Sequence, residues 1–312
     1  MTCKKQIILL GTIFLLLCYH LQCFGQADKP EVPVFDSHKA FQLLIKQCDF
    51  GPRNPGSQGY KRCLDYLVKT LTALADKVEI QTFPFTFGNP KQTVTASNLI
   101  ARFSPQKSDR ILLCAHWDTR PWADADPDPR NHKRPIIGAN DGASGVAVLL
   151  EVARLLHAHK SQVGVDIVLF DAEDAGISGD TWSWAQGSAY YAKNLSARNR
   201  PRFGILIDMI GDADLVIYQE ANSRAYAKSV VDLVWKTAAE LKLDAFKPEA
   251  GPSMMDDHIP LLQVGIPCID LIDFEYPYWH TLEDTPDKCS EDSLGQVGRL
   301  LVQVIYGLKQ NQ

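Results

Sequence analysis

The chain has 312 residues, of which 46% are hydrophobic and 22% are charged, and its formal net charge is −5. This length fits either two average domains or one large α/β domain. The negative charge argues against a nucleic-acid-binding protein, which needs a basic face for the phosphates. The eight cysteines lack the Cys-x-x-Cys spacing of zinc ribbons and thioredoxin-like motifs. A mildly acidic enzyme or binding domain remains.

Residues 1–25 have the pattern of a secretory signal peptide. Two lysines precede an apolar run over residues 7–18, which is too short for a membrane-spanning helix. Cleavage after Gly25 would leave residues 26–312 as the mature domain. We therefore expect an exported protein, periplasmic or secreted, with no transmembrane domain after cleavage. The alternative is an uncleaved segment that keeps the protein associated with the membrane.

The cysteines beyond this segment do not form a disulfide framework. There are five of them, Cys48, Cys63, Cys114, Cys268 and Cys289, and an odd number leaves at least one thiol unpaired. A chain of this length also has enough core to fold without disulfides. We expect mainly free thiols.

Hydrophobic periodicity predicts alternating helices and strands. In chain order these are a helix at 64–74, a strand at 111–113, a helix at 142–156, strands at 167–170 and 205–207, a helix at 225–241, a strand at 266–269 and a helix at 297–308. The strand runs lack polar alternation, which is typical of strands buried on both faces. The predicted fold class is α/β, a single domain with a central, mostly parallel mixed β-sheet flanked by helices. The Pro- and Asp-rich residues 122–135 are expected to form an inserted surface loop.

Polar residues follow three of the predicted strands. They are His116 and Asp118 after the first, Asp171, Glu173 and Asp174 after the second, and Asp208 after the third. Ligands bind beyond the carboxyl ends of the strands in an open parallel sheet, so these side chains are expected to converge. For Asp118 or Asp141 taken alone, a solvated loop acid or a helix cap is the simpler interpretation. For the Glu173-Asp174 pair, a functional role is favoured.

The candidate donors together suit a catalytic metal. They are His116, Asp141, Glu173, Asp174, Asp208 and His280. Imidazole and carboxylate without thiolate are typical of catalytic zinc, which uses three protein ligands. Either two metals bind, or one metal binds and the remaining carboxylates transfer protons. The adjacent Glu173 and Asp174 divide naturally into one general base and one ligand. A packed aromatic corner is the alternative role for His280.

Five motifs occur in an order that resembles a known enzyme superfamily. They are His116-Trp117-Asp118, Gly138-Ala139-Asn140-Asp141-Gly142-Ala143, Phe170-Asp171-Ala172-Glu173-Asp174-Ala175, Asp208 and Trp279-His280-Thr281. This order is similar to that of the exported co-catalytic zinc aminopeptidases. Within that superfamily, Gly51-Pro52-Arg53 and Asp256-Asp257-His258-Ile259-Pro260 resemble the glutaminyl cyclases of the animal type and their bacterial relatives. The resemblance spans about residues 40–310.

The resemblance implies a zinc-aminopeptidase-like fold and a single Zn²⁺. Its ligands would be Asp141, Asp174 and His280, although the animal enzymes carry Glu at the position of Asp174. Glu173 would be the proton shuttle, with Asp208 and Asp256 in a hydrogen-bond network beside it.

The resemblance also implies a substrate pocket with tryptophan walls. Trp279 would line it, and a second tryptophan is expected after the Glu-Asp pair. Trp184 is favoured over Trp182 for that position, and His116 is assigned to the substrate side. The animal pattern has a disulfide near the first motif, but Cys114 has no obvious partner here.

The implied reaction converts the N-terminal glutamine of peptides and proteins to pyroglutamate and releases ammonia. The main alternative is a di-zinc aminopeptidase on the same fold, in which His116 and Asp208 bind a second zinc across a bridging Asp141. Asp256 and Trp279 favour the cyclase. A third possibility, a metal- or peptide-binding module without activity, is disfavoured because Glu173 is present. The oligomeric state is not predicted.

Overall fold

A six-stranded sheet runs through the computed structural model, which describes residues 32–88 and 90–309. Its strands, in spatial order, are β1 (Lys77–Phe87), β2 (Gln92–Phe103), β4 (Gly164–Phe170), β3 (Arg110–His116), β5 (Gly204–Asp208) and β8 (Cys268–Ile272). A second sheet pairs β6 (Ile217–Gln219) with β7 (Phe246–Ala250). The predicted signal peptide and its cleavage site lie outside the described residues.

The large sheet is mixed, with a parallel half and an antiparallel half. Strands β4, β3, β5 and β8 are parallel neighbours, whereas β1 and β2 form an antiparallel hairpin that joins β4 through β2. Every residue of β3, β4 and β5 is buried, as the unalternating apolar runs predict. The predicted α/β fold with a mixed, mostly parallel sheet is confirmed.

Eight helices are described. They are α1 (Ser37–Cys48), α2 (Gln58–Leu74), α3 (Ala143–Ala158), α4 (Gln186–Asn194), α5 (Ala221–Tyr226), α6 (Lys228–Leu241), α7 (His258–Gln263) and α8 (Glu291–Gly307). Several begin at side-chain caps: Ser57 accepts from the Tyr60 backbone N–H, and Ser290 accepts from that of Ser293. Helices α1, α3 and α8 pack against one another, and α3 also packs against strands β3, β4 and β5 of the sheet.

The structure differs from the predicted elements in four respects. The expected helix at 225–241 is two helices, because Ala227 leaves the helical conformation at φ −135°. The last strand begins at Cys268 rather than at residue 266, since Pro267 has no N–H for a ladder. The β1–β2 hairpin, strands β6 and β7, and helices α1, α4 and α7 were not predicted.

The fourth difference is the segment at 122–135, which is not a simple surface loop. It contains a 3₁₀ turn at Pro129–Asn131, and its Asp126 is buried and accepts a hydrogen bond from the Leu282 backbone N–H at 3.1 Å. This bond fixes the segment to the loop that carries His280.

The structure also shows the state of the cysteines and the lengths of the helices. Cys48, Cys63, Cys114, Cys268 and Cys289 are free thiols. Within residues 32–88 and 90–309, no helix combines the length and apolar character needed to cross a membrane.

Candidate active site

The carboxyl ends of the parallel strands bring the predicted polar residues together. His116 ends β3 and lies opposite Phe170 at the end of β4, so the segments after both strands leave the sheet at one edge. Asp208 ends the neighbouring strand β5. The expected convergence of these side chains is what the structure shows.

One group of donors consists of Asp141, Asp174 and His280. All three side chains are buried, and one ligand atom from each lies within 4.8 Å of the others. The His280 Nε2 is 2.9 Å from Asp174 Oδ1 and 3.5 Å from Asp141 Oδ2. Asp141 Oδ2 and Asp174 Oδ2 are buried without a hydrogen-bond partner in the described part of the chain. Two such carboxylate oxygens beside an imidazole fit a zinc ion.

A second group shares Asp141 with the first. His116 Nε2 lies 3.1 Å from Asp141 Oδ1 and 3.0 Å from Asp208 Oδ1. Burial disfavours a charged imidazole, but Asp208, with further contributions from Asp118 and Asp141, outweighs it and raises the pKa of His116 well above 6.5. The donor geometry is therefore compatible with one or two cations.

His116 differs from its predicted place on the substrate side. The side chain is 1% exposed and is not part of the cavity wall. It lies beneath the cavity, where it contacts Asp141 and Asp208. Its position suits orientation of those carboxylates rather than contact with substrate.

Asp118 is fully buried, so its interpretation as a solvated loop acid is wrong. One carboxylate oxygen accepts a hydrogen bond from the Glu173 backbone N–H at 3.1 Å, and the other accepts from that of Asp174 at 3.3 Å. The chain reaches this arrangement through Ala172, which has a positive φ of 56°. Asp118 thus fixes the backbone from which both functional carboxylates project.

Asp284 has a similar role on the other side of the site. Its carboxylate accepts hydrogen bonds from the backbone N–H groups of Asn140 at 2.8 Å and Asp141 at 3.1 Å. Gly142 continues this loop at φ +96°, where an added Cβ would lie 2.7 Å from the Asp118 carbonyl oxygen. The loop that carries Asp141 is therefore held tightly. None of the predicted site residues or motifs included Asp284.

Arg120 was also missed, and it connects two candidate ligands. Its guanidinium donates to the Asp174 backbone carbonyl at 2.9 Å and forms a two-pronged pair with Asp124 at 2.7 and 2.6 Å. Asp124 Oδ1 lies 3.6 Å from His280 Nδ1. Asp124 thus lies on the Nδ1 side of the ring, and Nε2 on the other side faces Asp174 and Asp141.

Glu173 has the electrostatic setting of a proton-transfer group. Burial raises its pKa well above 4.5, and the negative charge of Asp256 raises it further. Burial likewise raises the pKa of Asp208 to about 7 and that of Asp256 above its ordinary value. A carboxyl group with a raised pKa can both take and return a proton near neutral pH.

Aromatic rings flank the His280 imidazole and line the cavity. The Trp279 ring stacks on it at a centroid distance of 3.7 Å, and Trp184 lies parallel to it at 6.0 Å. Trp182 is 70% exposed and does not line the cavity. The structure thus places Trp184, the favoured tryptophan, in the wall.

The cavity has a volume of about 230 Å³ and contains both polar and apolar residues. Glu173, Asp208 and Asp256 lie in it together with the three proposed zinc ligands. Met254 and Phe274 form part of its apolar wall. These two residues lie in irregular segments with no periodic pattern, so the sequence gives no signal for them.

The model of peptidase family M28 matches residues 98–305, which is two thirds of the chain. The chain belongs to peptidase family M28. Among solved structures, a glutaminyl cyclase from Tannerella forsythia has 40% sequence identity and a TM-score of 0.85, with coverage of 89% of this chain and 100% of that one. A Zn-dependent exopeptidase from Parabacteroides distasonis has 36% identity and the same TM-score and coverage.

A more distant relative is known from mouse. The glutaminyl-peptide cyclotransferase-like protein of Mus musculus is 25% identical over 275 residues, which are 80% of this chain and 70% of that protein. These similarities confirm the predicted resemblance to glutaminyl cyclases within the zinc aminopeptidase superfamily.

Proposed function

We propose that this M28 family member is a glutaminyl-peptide cyclotransferase. It would convert the N-terminal glutamine of peptides and proteins to pyroglutamate and release ammonia. The observation that carries this proposal is Glu173, a buried carboxyl group of raised pKa in a cavity walled by Trp184 and Trp279. The similarity to a bacterial glutaminyl cyclase at 40% identity supports the same activity.

One Zn²⁺ per chain is part of the proposal. Asp141, Asp174 and His280 would hold it, since their donor atoms converge and two of their carboxylate oxygens lack other partners. When bound, zinc supplies a Lewis acid that polarises the side-chain amide of the substrate and stabilises negative charge on its oxygen.

Glu173 would move the proton that the reaction requires. The α-amine of glutamine attacks its own side-chain amide carbon, and Glu173 takes a proton from that nitrogen as the new C–N bond forms. The same carboxyl group returns the proton to the amide nitrogen, which leaves as ammonia. One proton leaves the attacking amine and one proton reaches the departing amide nitrogen, so the reaction needs no water molecule. Asp256 would support this transfer, because its negative charge raises the pKa of both Glu173 and Asp208. Asp208 would extend the same group of buried carboxyls in the cavity.

The tryptophan walls would hold the glutamine in a folded conformation. Ring closure needs the amine and the amide carbon of one residue to approach each other, and a narrow apolar pocket favours that conformer. Flat indole surfaces also keep water away from the polarised amide. The packing of Trp279 and Trp184 around His280 supports both roles.

A di-zinc aminopeptidase is the second candidate function. The donor group His116, Asp141 and Asp208 favours it, because it shares Asp141 with the first group. Metal content and products separate the two functions. One zinc per chain with ammonia release supports the cyclase, whereas two zincs with release of free amino acids supports the peptidase.

We further propose that the enzyme is exported. The charged start and apolar run of residues 1–25 support this. Cleavage after Gly25 would expose Gln26, which is itself a substrate for the proposed reaction. The mass of the mature N-terminus tests this: export and self-cyclisation predict a blocked chain lighter by one ammonia, and an unmodified Gln26 contradicts self-cyclisation.

A further inference from the structure

A second cavity lies beside the candidate active site. Its volume is about 260 Å³, and it shares Met254, Ile272 and Phe274 with the wall of the first cavity. Tyr218 and Glu275 line it on the far side of this common wall. Two adjoining cavities with a common wall can accommodate successive parts of one extended ligand.

Phe274 is the exposed residue of the common wall. This side chain is 43% exposed, and its ring packs against that of Trp279 at a centroid distance of 5.4 Å. The glutamine to be cyclised occupies the first cavity, so the rest of the substrate must leave through the mouth. A chain that passes over the Phe274 ring reaches the second cavity directly. An apolar or aromatic second residue would pack on that ring.

The second cavity is acidic. Glu220 and Glu275 line it, and no Lys, Arg or His side chain does so among the described residues. The Glu220 carboxylate is fixed by the backbone N–H groups of Asn222 at 2.9 Å and Met254 at 3.0 Å. Glu275 is exposed at the other side of the cavity. The Glu220 carboxylate is also paired with His258, whose Nε2 lies 3.4 Å from its Oε2. The exposed Glu275 carboxylate is therefore the charge that attracts a substrate cation and repels an anion.

We propose that this second cavity binds the substrate residues that follow the N-terminal glutamine and selects a lysine or arginine at the second or third position. This inference rests on the proposed cyclase function and adds a substrate class to it. The preferred substrate is a basic glutaminyl peptide, and an acidic peptide of the same length is disfavoured.

The test compares two peptides of equal length that differ in one residue. Gln-Phe-Lys-Gly and Gln-Phe-Glu-Gly are assayed for ammonia release, with the dipeptide Gln-Phe as a reference that lacks the third residue. We expect kcat/KM for the lysine peptide to exceed that for the glutamate peptide by about fivefold, the size of a partly exposed ion pair. The difference should lie in KM, and it should shrink at high salt.

Two variants test whether the second cavity causes the preference for the lysine peptide. Glu275→Gln should bring the ratio of the two tetrapeptides close to one, since the exposed attracting charge is lost. Glu249→Gln is the matched control, because Glu249 is exposed on β7 but does not line the cavity. It should leave the ratio unchanged.

Failure of this inference and failure of the cyclase function give different results. Equal kcat/KM for both tetrapeptides, with normal turnover of Gln-Phe, overturns the subsite and leaves the cyclase intact. A lysine preference that survives Glu275→Gln also overturns it. If no glutaminyl peptide releases ammonia, both proposals are wrong.

Discussion

The carboxylate of Asp118 accepts a hydrogen bond from the backbone N–H of Glu173 at 3.1 Å. Its second oxygen accepts from the next N–H, that of Asp174, at 3.3 Å. A single buried side chain therefore holds the backbone of the proposed proton shuttle and that of a proposed zinc ligand. Asp118 therefore determines the relative position of Glu173 and Asp174, although it has neither of their proposed roles.

Asp118→Asn is expected to destabilise the protein and reduce turnover. The asparagine oxygen can accept from only one of the two backbone N–H groups of Glu173 and Asp174. The asparagine NH₂ group then lies against the other N–H, and neither of these two donors has an acceptor. An unsatisfied buried donor costs about 1–3 kcal/mol of unfolding free energy. Denaturant unfolding and ammonia release measure the two effects. Asp214→Asn, at an exposed position, is the control, and wild-type behaviour of Asp118→Asn would show that the two bonds are unimportant.

Glu173→Gln is expected to abolish turnover while zinc remains bound. The amide is nearly the same size as the carboxyl group but cannot take a proton, so the loss should be about 10²- to 10⁴-fold in kcat. Ammonia release measures turnover, and metal analysis of the purified variant measures zinc. Glu283→Gln serves as the control, since Glu283 is exposed and outside the cavity. Turnover within a few-fold of wild type would remove Glu173 from the mechanism.

The sequence was sufficient to predict the strands that carry the site. Buried parallel strands are continuous apolar runs, and the polar residues directly after them must meet at one sheet edge. His116, Glu173 and Asp208 were identified in this way. The β1–β2 hairpin was not predicted, although Phe83 and Phe85 alternate with exposed residues there with the period of two that is typical of a half-buried strand.

The supporting residues of the site could not be predicted from local pattern. Asp284 bonds to the Asn140 backbone across 144 positions of sequence, and nothing near either residue indicates the contact. Buried acidic and basic residues such as Asp118 and Arg120 look the same in a sequence as exposed ones. Their roles depend on the three-dimensional arrangement of loops, which periodicity does not describe.

Gly176→Ala is expected to displace Trp184 and weaken substrate binding. A Cβ at Gly176 would lie 2.1 Å from the indole ring, so the ring must move away from its position beside His280. Because the ring forms part of the cavity wall, KM should rise more than kcat falls. Steady-state kinetics on one glutaminyl peptide measures both. Gly307→Ala, where an added Cβ meets nothing within 4 Å, is the control; unchanged KM in Gly176→Ala would contradict the role of Trp184.

Glu220 is expected to make stability fall in acid. Burial alone would raise its pKa, but the nearby His258 imidazole, 3.4 Å away, and the backbone N–H groups of Ser223 and Asn222 outweigh burial and lower the pKa to about 2. A lowered pKa in the folded state contributes stability above the ordinary value of 4.5, and this contribution is lost as the pH falls from about 4.5 towards 2.

Thermal unfolding across that range measures the contribution. The difference in Tm between wild type and Glu220→Gln should narrow as the pH falls, because the variant has no carboxylate to protonate. Glu249→Gln, which changes an exposed carboxylate, should follow the wild type. A Tm difference that stays constant with pH would show that Glu220 is not held ionised in the folded protein.

Product analysis on two kinds of peptide tests the central claim most directly. The purified protein, loaded with zinc, is incubated separately with a peptide that begins with glutamine and with an unblocked peptide that begins with leucine. The cyclase account predicts one ammonia per glutaminyl peptide, a product lighter by that mass, and no free amino acid from either peptide. Release of free leucine, with no ammonia from the glutaminyl peptide, would contradict it and identify an aminopeptidase.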